Sequence, residues 1–139
     1  MEPAFKITIN QKLYLKDPNV SELGKKIVKD GLHLILELGF EQFTFKKLAA
    51  DIGTTEASVY RYFENKHRLL TYLINWYWTT LEYKILFHTK NLGNPEIKLK
   101  KVIELLSEEP KDTGSGDELS EKSAYELLML EGSKAYLTR

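Results

Sequence analysis

The chain has 139 residues, 20 Lys+Arg balanced by 20 Asp+Glu, and no cysteine. That length is one domain, or one small domain with part of another, and it suffices for a core without staples. An apolar fraction of 42% with 12% aromatics excludes a disordered chain, and the missing cysteines exclude a disulfide framework, a thiol nucleophile and a Cys-ligated metal. No apolar run reaches transmembrane length and no signal peptide opens the sequence, so the expectation is a soluble cytoplasmic protein with no membrane partner. Zero net charge leaves whole-chain electrostatics silent about nucleic acid.

Residues 1–20 read as an N-terminal arm. Phe5, Ile7 and Ile9 alternate with polar residues, and Leu13 and Leu15 do so again after Asn10-Gln11. Two short strands in a hairpin, or an extended arm packing Phe5 and Ile7 on the body, fit this pattern equally. Asp17-Pro18-Asn19 breaks it. Asn19 with Glu22 has capping-box spacing, and Ser21 is a rival cap. A helix then runs to Leu38 and stops at Gly39. Gly31 lies inside it, where glycine costs about 1 kcal/mol relative to alanine, so close approach of another helix is expected there.

Thr44 caps a short helix from Phe45 to Ile52, ended by Gly53. Thr55 caps a third, Glu56 to about Phe63. Asn65 caps a long fourth, Lys66 to about Thr89, and Asn94 with Pro95 opens a fifth that reaches Ser107. Residues 110–117 form a polar linker. A last helix is expected over Glu118 to Leu130, with Gly132 as its stop. The predicted fold is all-α. Residues 21–66 form a three-helix head, and residues 67–139 form a connecting helix and part of a second helical domain.

The two short helices between Thr44 and Phe63 have the spacing of a helix-turn-helix. Ala49 lets the second helix approach, Gly53 supplies the turn, and Leu48, Ile52 and Val59 point inward. Thr54 stands where an apolar residue is more usual. The outward face of the second short helix offers Thr55, Glu56, Ala57, Ser58, Tyr60, Arg61 and Tyr62 to a major groove. Arg61 can grip guanine bidentately or clamp a phosphate, and Ser58 and Thr55 can bond base edges or phosphate. Ala57 can meet a thymine methyl. Tyr60, Lys46, Lys47 and Lys66 read as phosphate contacts, which position without specifying. Glu56 accepts from cytosine N4, or serves the helix dipole and faces solvent.

The run Gly39-Phe40-Glu41-Gln42-Phe43-Thr44, followed by Leu48-Ala49-Ala50-Asp51-Ile52-Gly53-Thr54-Thr55-Glu56-Ala57-Ser58-Val59-Tyr60-Arg61-Tyr62-Phe63-Glu64-Asn65-Lys66 and Leu69-Leu70, resembles the tetracycline-repressor (TetR-type) family of transcription regulators. The resemblance covers residues 21 to about 83. It implies a three-helix DNA-binding head, a connecting fourth helix and an all-α domain that binds a small effector and forms the dimer. It implies DNA-backbone contacts by Tyr60 and Lys66, and a DNA-facing position for Thr44, Lys46, Thr55, Ala57, Ser58, Arg61 and Tyr62. The reading is a ligand-responsive repressor acting as a homodimer on a pseudo-palindromic double-stranded operator. The alternative is a helical ligand- or protein-binding module that keeps the head without binding DNA.

Trp76, Trp78, Tyr83 and Phe87 crowd the fourth helix, either as an aromatic wall for a small apolar or aromatic effector or as core and dimer packing. His33, His67 and His88 are scattered without metal spacing, and His67 at a helix start could touch phosphate. No catalytic or cofactor motif occurs, so neither an enzyme nor a cofactor is expected.

The neutral charge is a cancellation. Residues 1–90 carry 13 Lys+Arg against 10 Asp+Glu, and residues 91–139 carry 7 against 10. Within 21–66 the count is 7 against 7, so DNA binding has to rely on where charges sit. About 49 residues (139 less the 90 used by head and fourth helix) remain for an effector domain. That is short for the family, so a truncated chain is the expectation; a complete one would need a dimer interface on the fourth helix or the arm.

Overall fold

A computed structural model describes residues 9–110 and 119–135. Six α-helices follow one another among these residues: α1 Glu22–Leu38, α2 Phe45–Ile52, α3 Glu56–Tyr60, α4 Lys66–Thr89, α5 Pro95–Ser107 and α6 Glu121–Ala135. The described residues form no strand, and the all-α expectation holds.

Local chemistry sets most boundaries. Thr44, Thr55 and Asn65 each accept a backbone N–H of the first turn they precede, from Lys47, Ser58 and Arg68. Such caps are worth about 0.5–2 kcal/mol each. Gly39 and Gly53 end α1 and α2 at φ +80° and +74°, a region that side chains avoid. Asn94 caps α5 with Pro95 in its first turn.

Four expectations need correction. Ser21, not Asn19, caps α1, accepting from the Gly24 N–H at 3.0 Å. Asn19 sits in a separate 3-10 turn, Pro18–Val20, capped by Asp17. That turn lies on α1, where a Cβ at Gly24 would collide with the Pro18 carbonyl. The second strand of the arm is absent, because residues Gln11–Leu13 form another 3-10 turn. The arm does pack on the body: Ile9 and Leu13 are buried and the Leu15 N–H donates to the Tyr62 carbonyl at 2.8 Å. Phe5 and Ile7, and the linker except Pro110, lie outside the described residues.

The other two corrections concern helix length. α3 stops at Tyr60, short of Phe63, because Tyr62 and Phe63 turn inward and are buried. α6 starts later and ends later than expected. Ser120 Oγ accepts from the Ser123 N–H, and Gly132 lies inside the helix, buried. The glycine does not stop α6 because the turns on both sides of it are anchored to the head and to α4: Glu131 Oε1 accepts from the Phe40 N–H at 3.2 Å and His67 Nε2 bonds the Lys134 carbonyl at 3.0 Å.

One apolar core joins the head to α4 and α6. Ile27, Leu32 and Ile35 of α1, Leu48 of α2 and Val59 of α3 share it with Leu69, Leu70 and Leu73 of α4 and Leu127 of α6. At Gly31 α4 comes close: a Cβ there would lie 3.0 Å from Leu69 Cδ2. The expected close approach is found, and α4 provides it. Lys84 and Glu121 add an ion pair between α4 and the start of α6. α5 folds back along α4 but has no buried residue.

Candidate nucleic-acid interface

The helix-turn-helix is held from inside. Leu48, Ala49 and Val59 are buried and Ile52 is half-buried. Gly53 at φ 74° and ψ 35° is left-handed, and the Thr54 N–H returns to the Ala49 carbonyl at 2.9 Å. The Thr54 side chain, unusual for the turn, is half-exposed. The angle between α2 and α3 is therefore fixed by packing plus a closed turn.

Outside that lock lies a polar face. Thr44, Lys46, Lys47, Thr55, Glu56, Ala57, Tyr60 and Arg61 are exposed and Ser58 is half-exposed. Thr44 Oγ1 and Thr55 Oγ1 are engaged as caps, and Thr55 Oγ1 also lies 2.8 Å from Ser58 Oγ. These hydroxyls are thus oriented before any partner arrives. The Tyr60 ring rests edge-on against Phe45 with centroids 4.9 Å apart, which fixes the ring on the surface. Lys47 Nζ donates to the Gln42 carbonyl at 2.8 Å, so its position is set by the loop before α2. Glu56 sits in the first turn of α3, where its carboxylate complements the helix dipole.

Two residues expected on this face make contacts inside the head. Tyr62 is only 3% exposed. Its hydroxyl lies 2.6 Å from Ser21 Oγ, which ties the end of the α3 segment to the start of α1. Lys66 does not present a free ammonium. Its Nζ donates to the carbonyls of Phe40 at 2.8 Å and Phe43 at 3.1 Å, with Glu41 at 3.4 Å, and lies 4.6 Å from the centroid of the Phe40 ring. An ammonium has three protons, and this loop takes them. His67, a further phosphate candidate, is used instead by its bond to α6.

One cation was missed from sequence. Lys16, on the arm, lies 5.1 Å over the Tyr62 ring, which brings positive charge to the end of the α3 segment. Its only signal was its place in the alternating arm. None of the ion pairs among the described residues involves Lys16, Lys46, Lys47 or Arg61. These four cations therefore lie on or beside the face around α2 and α3 without an ion-pair partner, alongside the exposed Glu56 carboxylate, in a head that is neutral overall.

The aromatic residues of α4 do not form one wall. At about 100° per residue, Trp76, Tyr83 and Phe87 share a face and Trp78 lies roughly opposite. Trp76 is half-buried against the core, whereas Trp78, Tyr83 and Phe87 are exposed. Among the described residues no group of His, Cys, Asp and Glu could hold a metal ion, and no helix is long and apolar enough to cross a membrane.

Residues 27–73 match the model of a family described as bacterial regulatory proteins, tetR family. The match spans α1 from Ile27, both helices of the helix-turn-helix and the first two turns of α4. Comparison with curated proteins and with solved structures finds no match.

Proposed function

We propose, from the premise that this chain carries the N-terminal helix-turn-helix domain of a TetR-family regulator, that it is a ligand-responsive repressor. In this reading two copies bind a pseudo-palindromic operator with one α3 in each half-site, about one DNA turn apart. Arg61, Ser58, Ala57 and Thr55 read base edges, while Tyr60, Lys46 and Lys47 hold phosphates. Lys16 adds a phosphate contact from the arm. The observation that supports this most is the set of exposed cations without ion pairs, Lys46, Lys47 and Arg61, on a pair of helices whose mutual angle is locked. A small apolar effector bound along α4, against Trp76, Tyr83 or Phe87, would shift the two heads apart and oppose simultaneous docking. A protein acting on DNA in this way works in the cytoplasm.

The test is binding of the full chain to duplexes drawn from beside its own gene, titrated against salt. Affinity should fall steeply with salt, because bound cations release counterions from the phosphates. Arg61→Ala should cost about 1–3 kcal/mol and relax base preference. Salt-insensitive binding, or none, would favour a head kept for helical packing or for a protein partner.

A further inference from the structure

α5 is an amphipathic helix turned the wrong way for a monomer. Toward α4 it half-buries Lys101, Val102 and Leu105. Leu99, Ile103 and Leu106 are 61%, 55% and 56% exposed. Their spacing of four and three residues puts them on one stripe within roughly 60° of arc. That is the seam of a helix that packs on another helix, and exposed apolar stripes of this kind mark contact surfaces.

The charges on the helix say what the other helix is. Glu96 lies in its first turn, Lys98, Lys100 and Lys101 follow, and Glu104 sits in its last turn, with Glu108 and Glu109 just beyond the end. Lys100 and Glu104 border the same side of the stripe. Lys100 has no ion pair among the described residues, and Glu104 has only a long contact with Lys101, at 3.6 Å. A two-fold axis between Val102 and Ile103 would set Leu99 against Leu106 of the partner subunit. It would also bring Lys100 within about one residue's rise of Glu104 of the partner subunit. The symmetry repeats the pair, and the antiparallel dipoles add to it. A parallel pairing would instead oppose lysines to lysines. The surface is therefore complementary to itself in one orientation.

We propose that α5 is a self-association helix, pairing antiparallel with α5 of a second copy through Leu99, Ile103 and Leu106, with Lys100 facing Glu104 of the partner subunit. This rests on the dimeric operator reading and names the surface that serves it. The seam is small for a stable dimer, so the free chain dimerises weakly, with a Kd of about micromolar order.

The experiment is sedimentation equilibrium of the full chain with the variants Lys100→Glu and Glu104→Lys, alone and mixed in equal amounts. Each variant alone faces like charges across the seam and should dimerise about tenfold more weakly. The mixture pairs two glutamates with two lysines and should recover the wild-type Kd. Lys100 and Glu104 are also neighbours within one helix, but only an intermolecular pairing gives that recovery. Ile103→Glu should leave a monomer. Circular dichroism checks that helix content is unchanged. A mixture no tighter than either variant overturns the proposal. A dimer unaffected by every variant overturns the seam but leaves the dimeric operator reading standing. A wild-type chain that stays monomeric and binds operator one head at a time overturns both.

Discussion

Lys66 Nζ donates to the Phe40 carbonyl oxygen 2.8 Å away, so the first residue of α4 closes the loop between α1 and α2. Lys66→Ala leaves partly buried carbonyls without a donor. It should destabilise the fold by about 1–3 kcal/mol, read as an earlier thermal midpoint. DNA affinity should then fall chiefly near that midpoint. An unchanged midpoint with a shallower salt dependence of binding would instead make Lys66 a phosphate contact.

Tyr62 tests the division between support and recognition. Tyr62→Phe removes the hydroxyl beside Ser21 Oγ and keeps the ring. Its cost should be about 0.5–1.5 kcal/mol of stability, measured by urea unfolding. Base preference should not change. A shift in preference without a stability change would place Tyr62 on the DNA.

Acid stability should depend on Glu131. Burial pushes its carboxyl up, but the hydrogen bond from Lys134 and the Phe40 N–H outweigh that and hold it below the usual 4.5. A lowered folded value stabilises above the unfolded one and loses the effect as pH falls through the folded one. Unfolding free energy should therefore drop as the solution is taken below pH 4.5. Glu131→Gln, which can still accept from Phe40, should flatten that drop. An acid limb unchanged in the variant would remove Glu131 as its source.

Alkaline stability has a separate source. Burial first, with Asp17 and Tyr14 adding to it against the opposing hydrogen bond from Asn19, pushes the Tyr72 hydroxyl from 10.0 up to about 12. The raised group contributes fully below its unfolded value, and that contribution is lost as pH climbs through the folded one. Stability should decline between about pH 10 and 12, alongside the tyrosinate absorbance. Tyr72→Phe should lose that slope. If it declines as steeply as the wild type, another group is responsible.

The sequence was most legible where cause and effect are near neighbours. Thr44, Thr55, Asn65 and Asn94 cap helices through groups two or three residues away, so spacing alone located α2, α4 and α5. Gly31 was legible as a close approach, though only the fold shows that Leu69 makes it. The contacts that Tyr62 and Lys66 make within the head were not legible because their partners are remote: Ser21 is 41 residues from Tyr62, and Phe40 is 26 from Lys66. Gly132 failed as a stop for the same reason. Its local cost of about 1 kcal/mol is set against contacts from Glu131 and Lys134 to chain nearly a hundred residues earlier.

α6 reaches the loop before α2 at two points, with Glu131 on the Phe40 N–H and Lys134 on the Glu41 carboxylate. The family-model match ends at residue 73, but the packed core does not. A chain cut after α4 would leave the Phe40 N–H without its acceptor and Leu127 without its seat in the shared core. The loop that leads into α2 would then be free to vary its angle. The segment that resembles a portable module is thus braced from behind by a helix outside the matched residues.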